Sequence, residues 1–164
     1  MNDLLKITQD NYAYLTKTLI EKNISITTME SCTSGLVASF ITDIDNSSKV
    51  FKGSFVTYSN EAKQAIGVSK DIIDTYGVYS SQTAIEMAKT CRKRYKTNIG
   101  IGVTGSLGII DPNNSDSKPG EVYFAFDIND KIYDYFINIE NCGSKFLNKV
   151  FTANQIYKEL IKLI

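Results

Sequence analysis

A chain of 164 residues, 43% hydrophobic and 22% charged, provides one well-buried core and is too short for two comfortable ones. Eighteen basic residues balance eighteen acidic ones, which excludes a global attraction to nucleic acid or to an anionic membrane. Histidine is absent, so Ser-His-Asp and Cys-His chemistry are excluded and a zinc site lacks its commonest nitrogen ligand.

Leu4, Leu5, Tyr12, Leu15, Leu19 and Ile20 recur at helical spacing and predict a first helix from about residue 3 to 22. Ile24 to Met29, rich in Ile and Thr, reads as a strand. Leu36, Val37, Phe40, Ile41 and Ile44 mark a second helix, and Val50 to Tyr58 a second strand. Ser59-Asn60 caps a short helix from Glu61, and another spans Lys70 to Tyr76. Ser80-Ser81-Gln82-Thr83 opens a longer helix with Ala84, Met87, Ala88 and Cys91 on its inner face. The basic run Arg92-Lys93-Arg94-Tyr95-Lys96 ends that helix, where cations complement the dipole; this reading outweighs a phosphate-backbone site.

Asn98 to Thr104 is a compact strand whose composition predicts burial on both faces. Gly105 to Lys118 is the one long irregular segment, of a length that is usually functional or mobile. Glu121 to Asp127 and Lys131 to Glu140 form a hairpin around Asn129-Asp130, and a last helix runs from about Ser144 to Leu163. The whole, residues 1–164, is expected to be a single α/β domain: a three-layer α/β/α sandwich with a mixed sheet. Cys32, Cys91 and Cys142, odd in number and widely spaced, favour free thiols in a reducing compartment. With no signal peptide and no span long enough for a membrane, the expected location is the cytoplasm.

Ligands of such sheets collect beyond the carboxyl ends of the strands. Three segments should converge there: Glu30-Ser31-Cys32-Thr33, Tyr58 to Lys63, and Thr104-Gly105-Ser106. Ser31 sits where a strand turns into a helix, whose N-terminal amides suit an oxyanion or a phosphate. Taken alone, that segment fits Ser31 or Thr33 as a simple helix cap better than it fits a nucleophile. Lys63 supplies the missing proton acceptor once desolvation lowers its pKa, and Tyr58 is placed to donate or relay a proton. Against this stands the ordinary reading of a solvated lysine and a half-buried strand tyrosine. Between the adjacent nucleophiles, Ser31 is preferred to Cys32, whose small side chain packs well at a helix start.

Thr28 to Gly35 (TMESCTSG), Gly53 to Lys63 ending in YSNEAK, Gly67-Val68 and Val103-Thr104-Gly105 together resemble the CinA C-terminal domain family, over about residues 5 to 160. The chain looks like the family's stand-alone form. The resemblance implies hydrolysis of nicotinamide mononucleotide to nicotinic acid mononucleotide and ammonia, with no metal or organic cofactor. It implies catalysis by Ser31, Lys63 and Tyr58, and a substrate pocket drawn from Glu30, Cys32, Thr33, Gly35, Asn60, Thr104, Gly105 and Lys145. A small nucleotide is the implied ligand; nucleic acid and membrane are not. Association of family members, with the aromatic hairpin residues Tyr123, Phe124, Phe126, Tyr133, Tyr135 and Phe136, suggests a homodimer.

The pattern departs from the family in three places. Ser106 to Pro112 is bulkier than the family's Gly-rich turn, Lys118-Pro119-Gly120 is shortened, and Gly143-Ser144-Lys145 replaces Gly-Asp-Arg. Lysine offers phosphate a point charge where arginine offers a fork. Two other readings stand beside the first: the same machinery acting on a different carboxamide, and a non-catalytic nucleotide-binding or interaction module linked to competence or DNA damage.

Overall fold

The strands alternate between two apolar cores, which makes the sheet the middle of three layers. The computed structural model describes residues 2–108, 110–115 and 117–164. Its elements are α1 (Asn2–Glu21), β1 (Ile26–Glu30), α2 (Leu36–Thr42), a 3-10 turn (Ser47–Lys49), β2 (Phe51–Val56), α3 (Asn60–Ile66), α4 (Lys70–Tyr76), α5 (Ser81–Tyr95), β3 (Ile99–Gly105), β4 (Glu121–Ile128), β5 (Lys131–Asn138) and α6 (Lys145–Leu160). The sheet order is β2-β1-β3-β4-β5; β1 runs parallel to both β2 and β3, and β3-β4-β5 is antiparallel. The expected sandwich with a mixed sheet is therefore observed.

Ile26, Ile99, Ile101, Val103, Phe124 and Phe126 pack against Tyr12 and Leu15 of α1, Phe40 and Ile41 of α2, and Ala153 and Ile156 of α6. On the opposite face Met29 joins Ile73 of α4 and Met87 and Cys91 of α5, while Ala125 meets Ala84 and Ala88. The expected burial of β3 on both faces holds, by unequal means. Ile99, Ile101 and Val103 fill one face; Gly100 and Gly102 leave the other bare so that α5 lies against the strand backbone. A Cβ at position 102 would sit 2.1 Å from the Ala84 carbonyl oxygen, and at 100 only 2.3 Å from that of Ala88. Gly102→Ala is expected to push α5 off the sheet and destabilise the fold by about 3 kcal/mol, read as a lower urea midpoint.

Several boundaries differ from expectation. The strand expected to reach Tyr58 stops at Val56, and the helices expected to reach Ile44 and Leu163 stop at Thr42 and Leu160. The hairpin turn is as expected: Asn129 and Asp130 both adopt positive φ, the requirement of a tight type I′ connection. Arg92 of the basic run is taken by this turn, its Nε lying 2.8 Å from Asp127 Oδ2 and its Nη2 on Asp130. Arg94 Nε donates to the Ile66 carbonyl at 3.1 Å. Among the described residues no helix is long and apolar enough to cross a membrane.

Candidate active site

Two neighbouring strands that end together bring their following residues side by side. Glu30 of β1 pairs with Val56 of β2, and the ladder continues one step as Thr57 N donates to the Glu30 carbonyl at 2.8 Å. Ser31 N donates to the Val103 carbonyl of β3 at 3.0 Å, so Ser31 is fixed at the carboxyl edge of the sheet. From Thr57 the chain turns into α3, whose N-cap Ser59 accepts from Ala62 N at 3.1 Å. One helical turn later Lys63 folds back over the strand ends. Its Nζ donates to the Thr57 carbonyl at 2.9 Å and to Ser31 Oγ at 3.1 Å.

This lysine is no surface residue: Lys63 is 1% exposed and Ser31 5%. Burial lowers the Lys63 pKa to about 8, against weaker opposing pulls from Cys32, Asp111 and Glu61. The solvated-lysine reading is thereby replaced by a desolvated amine held on a serine hydroxyl. Ser31 opens onto a cleft of about 700 Å³ that is also lined by Cys32, Tyr58, Asn60, Gly105, Asp111 and Lys145, among others. Cys32 is 5% exposed, and burial, with the Glu30 charge, pushes its thiol up to about 12. A thiol so held carries almost no thiolate at neutral pH, whereas the Ser31 hydroxyl is the one that Lys63 touches.

Four residues expected in the substrate pocket have their side chains or backbone turn engaged within the scaffold. Glu30 is fully buried. Its Oε2 accepts from Thr33 Oγ1 (2.7 Å), Gly35 N (3.0 Å) and Val37 N (3.1 Å), and its Oε1 from Thr28 Oγ1 (3.0 Å) and Ala38 N (2.8 Å). The amides that begin α2 are thus spent on an internal carboxylate, so the expected use of that helix start for an oxyanion or phosphate is corrected. Thr33 is a buried donor to Glu30, and Gly35 allows the left-handed turn (φ 89°) that starts the helix. Thr104 is fully buried, with Oγ1 donating to the Val78 carbonyl at 2.9 Å.

Tyr58 lies at the mouth of the cleft, 60% exposed, and its hydroxyl accepts from Lys145 Nζ at 3.2 Å. That places it with the rim lysine rather than with the Ser31–Lys63 pair. Asn60 Nδ2 donates to Asn114 Oδ1 at 2.8 Å, binding α3 to the long loop. Asp111 and Tyr79 were not singled out in the sequence. Tyr79 Oη donates to Asp111 Oδ2 at 2.7 Å, and Asn114 Nδ2 to the same oxygen at 2.6 Å. No periodicity marks such a contact; only the turn-forming composition of 105–118 hinted at a functional loop.

The match to the CinA C-terminal domain extends over residues 9–156. The chain belongs to this family. A CinA-like protein of Flavobacterium psychrophilum is 39% identical over 153 residues, covering 90% of this chain and 36% of that protein. The chain spans between 26% and 36% of the length of the curated relatives it matches. The crystal structure of competence/damage inducible protein CihA from Agrobacterium tumefaciens superimposes with a TM-score of 0.87 at 28% identity, covering 95% of this chain and 94% of that one. A competence-damaged protein (CinA) superfamily structure from Escherichia coli gives 0.86 at 26% identity, covering 96% and 90%. The CinA fold is thus common to all three.

Proposed function

We propose that the chain is a serine-lysine amidase that hydrolyses nicotinamide mononucleotide to nicotinic acid mononucleotide and ammonia. The observation that carries this reading is the 3.1 Å contact between Ser31 Oγ and a buried Lys63 Nζ at the edge of the cleft. With a pKa of about 8, roughly a tenth of Lys63 is neutral at pH 7, enough to serve as general base. Neutral Lys63 takes the Ser31 proton as Oγ adds to the carboxamide carbon. The resulting ammonium passes a proton to the departing nitrogen, and ammonia leaves a Ser31 ester. Lys63 then deprotonates a water that attacks the ester, and the proton returns to Ser31 as the carboxylate product is released.

Glu30 takes the amides of Gly35, Val37 and Ala38, so those of Cys32 and Thr33, next in chain to the nucleophile, are assigned to the oxyanion. Lys145, at the mouth beside Tyr58, is assigned to the phosphate, and Tyr58 to positioning that lysine.

The test is ammonia release from nicotinamide mononucleotide by the purified protein. Wild type and Cys32→Ala should turn over, and Ser31→Ala should lose at least about a hundredfold in kcat. A Cys32→Ala protein that loses the chemistry while Ser31→Ala keeps it would reverse the choice of nucleophile. An inactive wild type that still binds the nucleotide would favour the non-catalytic module.

A further inference from the structure

The cleft contains a charge that the amidase chemistry alone does not want. Asp111 lies on its lining, held by Tyr79 Oη (2.7 Å), Asn114 Nδ2 (2.6 Å) and Asn113 N (2.9 Å). Its own amide donates to Ser117 Oγ at 2.6 Å, and Asn114 is tied in turn to Asn60 of α3. Among the described residues the donors to its carboxylate are neutral, so they fix the group in place while its charge remains. These hydrogen bonds, that from Tyr79 foremost, hold its pKa below the ordinary aspartate value and keep it ionised. A fixed anion here opposes the reaction: it stabilises protonated Lys63, which must be neutral to act, and repels the oxyanion of the tetrahedral intermediate.

A cationic ligand removes both penalties by neutralising the carboxylate when it binds. The other charged residues of the lining are a cation, Lys145, and a carboxylate, Glu61, that is exposed to solvent where Asp111 is half-buried. Lys145 is at the mouth with Tyr58, and the exposed Glu61 carboxylate takes the backbone amide and Ser59 hydroxyl at the start of α3. Leu107, Ile110 and Pro112 add apolar surface to the same lining, as a flat ring requires.

We infer that Asp111 is a specificity-determining residue, the counter-charge for a permanently cationic aromatic ring that carries the carboxamide. The cleft then selects ring-quaternised amides over neutral ones of the same shape. The inference rests on the amidase reading of the cleft and adds to it the charge class of the substrate's ring.

Two small probes separate the inference from that reading. In NMR titrations the wild type should bind 1-methylnicotinamide, a cation, about tenfold tighter than neutral nicotinamide, the scale of one charge pair in a partly solvated cleft. Asp111→Asn should abolish the preference and Asp111→Glu should keep most of it. In turnover, Asp111→Asn should raise KM for nicotinamide mononucleotide about tenfold and leave KM for its dihydro form, whose ring is neutral, unchanged. Equal binding of both probes by the wild type overturns the inference, as does an Asp111→Asn protein that still prefers the cation. A wild type that prefers the cation yet releases no ammonia sinks the amidase reading and leaves the charge preference in place.

Discussion

Lys63→Met is expected to reduce ammonia release at least about a hundredfold and, in the same protein, to raise the melting temperature at pH 7. The two effects have one cause. Lys63 has a pKa of about 8 in the fold, against about 10.4 in an unfolded chain, so at pH 7 the native state carries a buried ammonium that water would hold more favourably. The shift corresponds to roughly 3 kcal/mol of destabilisation. Methionine fills a similar volume without the charge. It leaves the Thr57 carbonyl and Ser31 hydroxyl without their donor, an offset of about 2 kcal/mol, one for each group. The net gain should raise Tm by about 3 °C.

The pH dependence fixes the sign. Because the folded pKa lies below the unfolded one, the unfolded chain binds more protons between about pH 8 and 10.4. Wild-type stability should therefore climb relative to Lys63→Met across that window. Turnover by the wild type should rise as pH approaches about 8 and then level, since the neutral amine is the active form. A Lys63→Met protein that melts below wild type at pH 7, or a pH profile flat from 6 to 9, would contradict a buried amine acting as base.

Glu30→Gln is nearly isosteric and should still be among the most damaging changes in the molecule. All the groups that face the carboxylate are donors: three on Oε2, two on Oε1. A glutamine must turn its NH₂ toward one of these sets, setting donor against donor in a site with no access to water. A loss of about 4 kcal/mol is expected, seen as a fall in Tm of about 10 °C. Turnover should fall as well, because the same hydrogen bonds shape the turn from Ser31 to Gly35. Wild-type melting in the glutamine variant would contradict a site that offers this side chain donors alone.

Much of this was legible in the sequence because chemistry and topology coincided. Strands with parallel neighbours place their carboxyl ends together, so YSNEAK and ESCT were bound to meet once β1 and β2 were adjacent. Side-chain direction was the weaker inference, yet the alternation of a strand contains it. Ile26 faces α1 and α2, hence by a period of two Thr28 and Glu30 do as well, beneath α2 rather than into the cleft. The same count from Ile101 and Val103 turns Thr104 toward the α5 side of the sheet, where it meets the Val78 carbonyl ahead of that helix. Asp111 had no such signal. It lies in a loop without periodicity, and its place depends on Tyr79, thirty-two residues away in the chain.

The Ser31–Lys63 pair comes from two successive strand-to-helix junctions, so its spacing is inherited from the distance between adjacent hydrogen-bonded strands. Beyond Ser31, Cys32, residues 58 to 61 and Tyr79, the rest of the cleft wall is supplied by later segments, the end of β3 with the loop after it and the start of α6. On the proposed amidase reading, reactivity and selectivity reside in separable modules of one chain. Grafting a different loop between β3 and β4 should then change the amide that is accepted while Ser31 and Lys63 stay in place, which makes that insertion point the natural place to diversify or to engineer this scaffold.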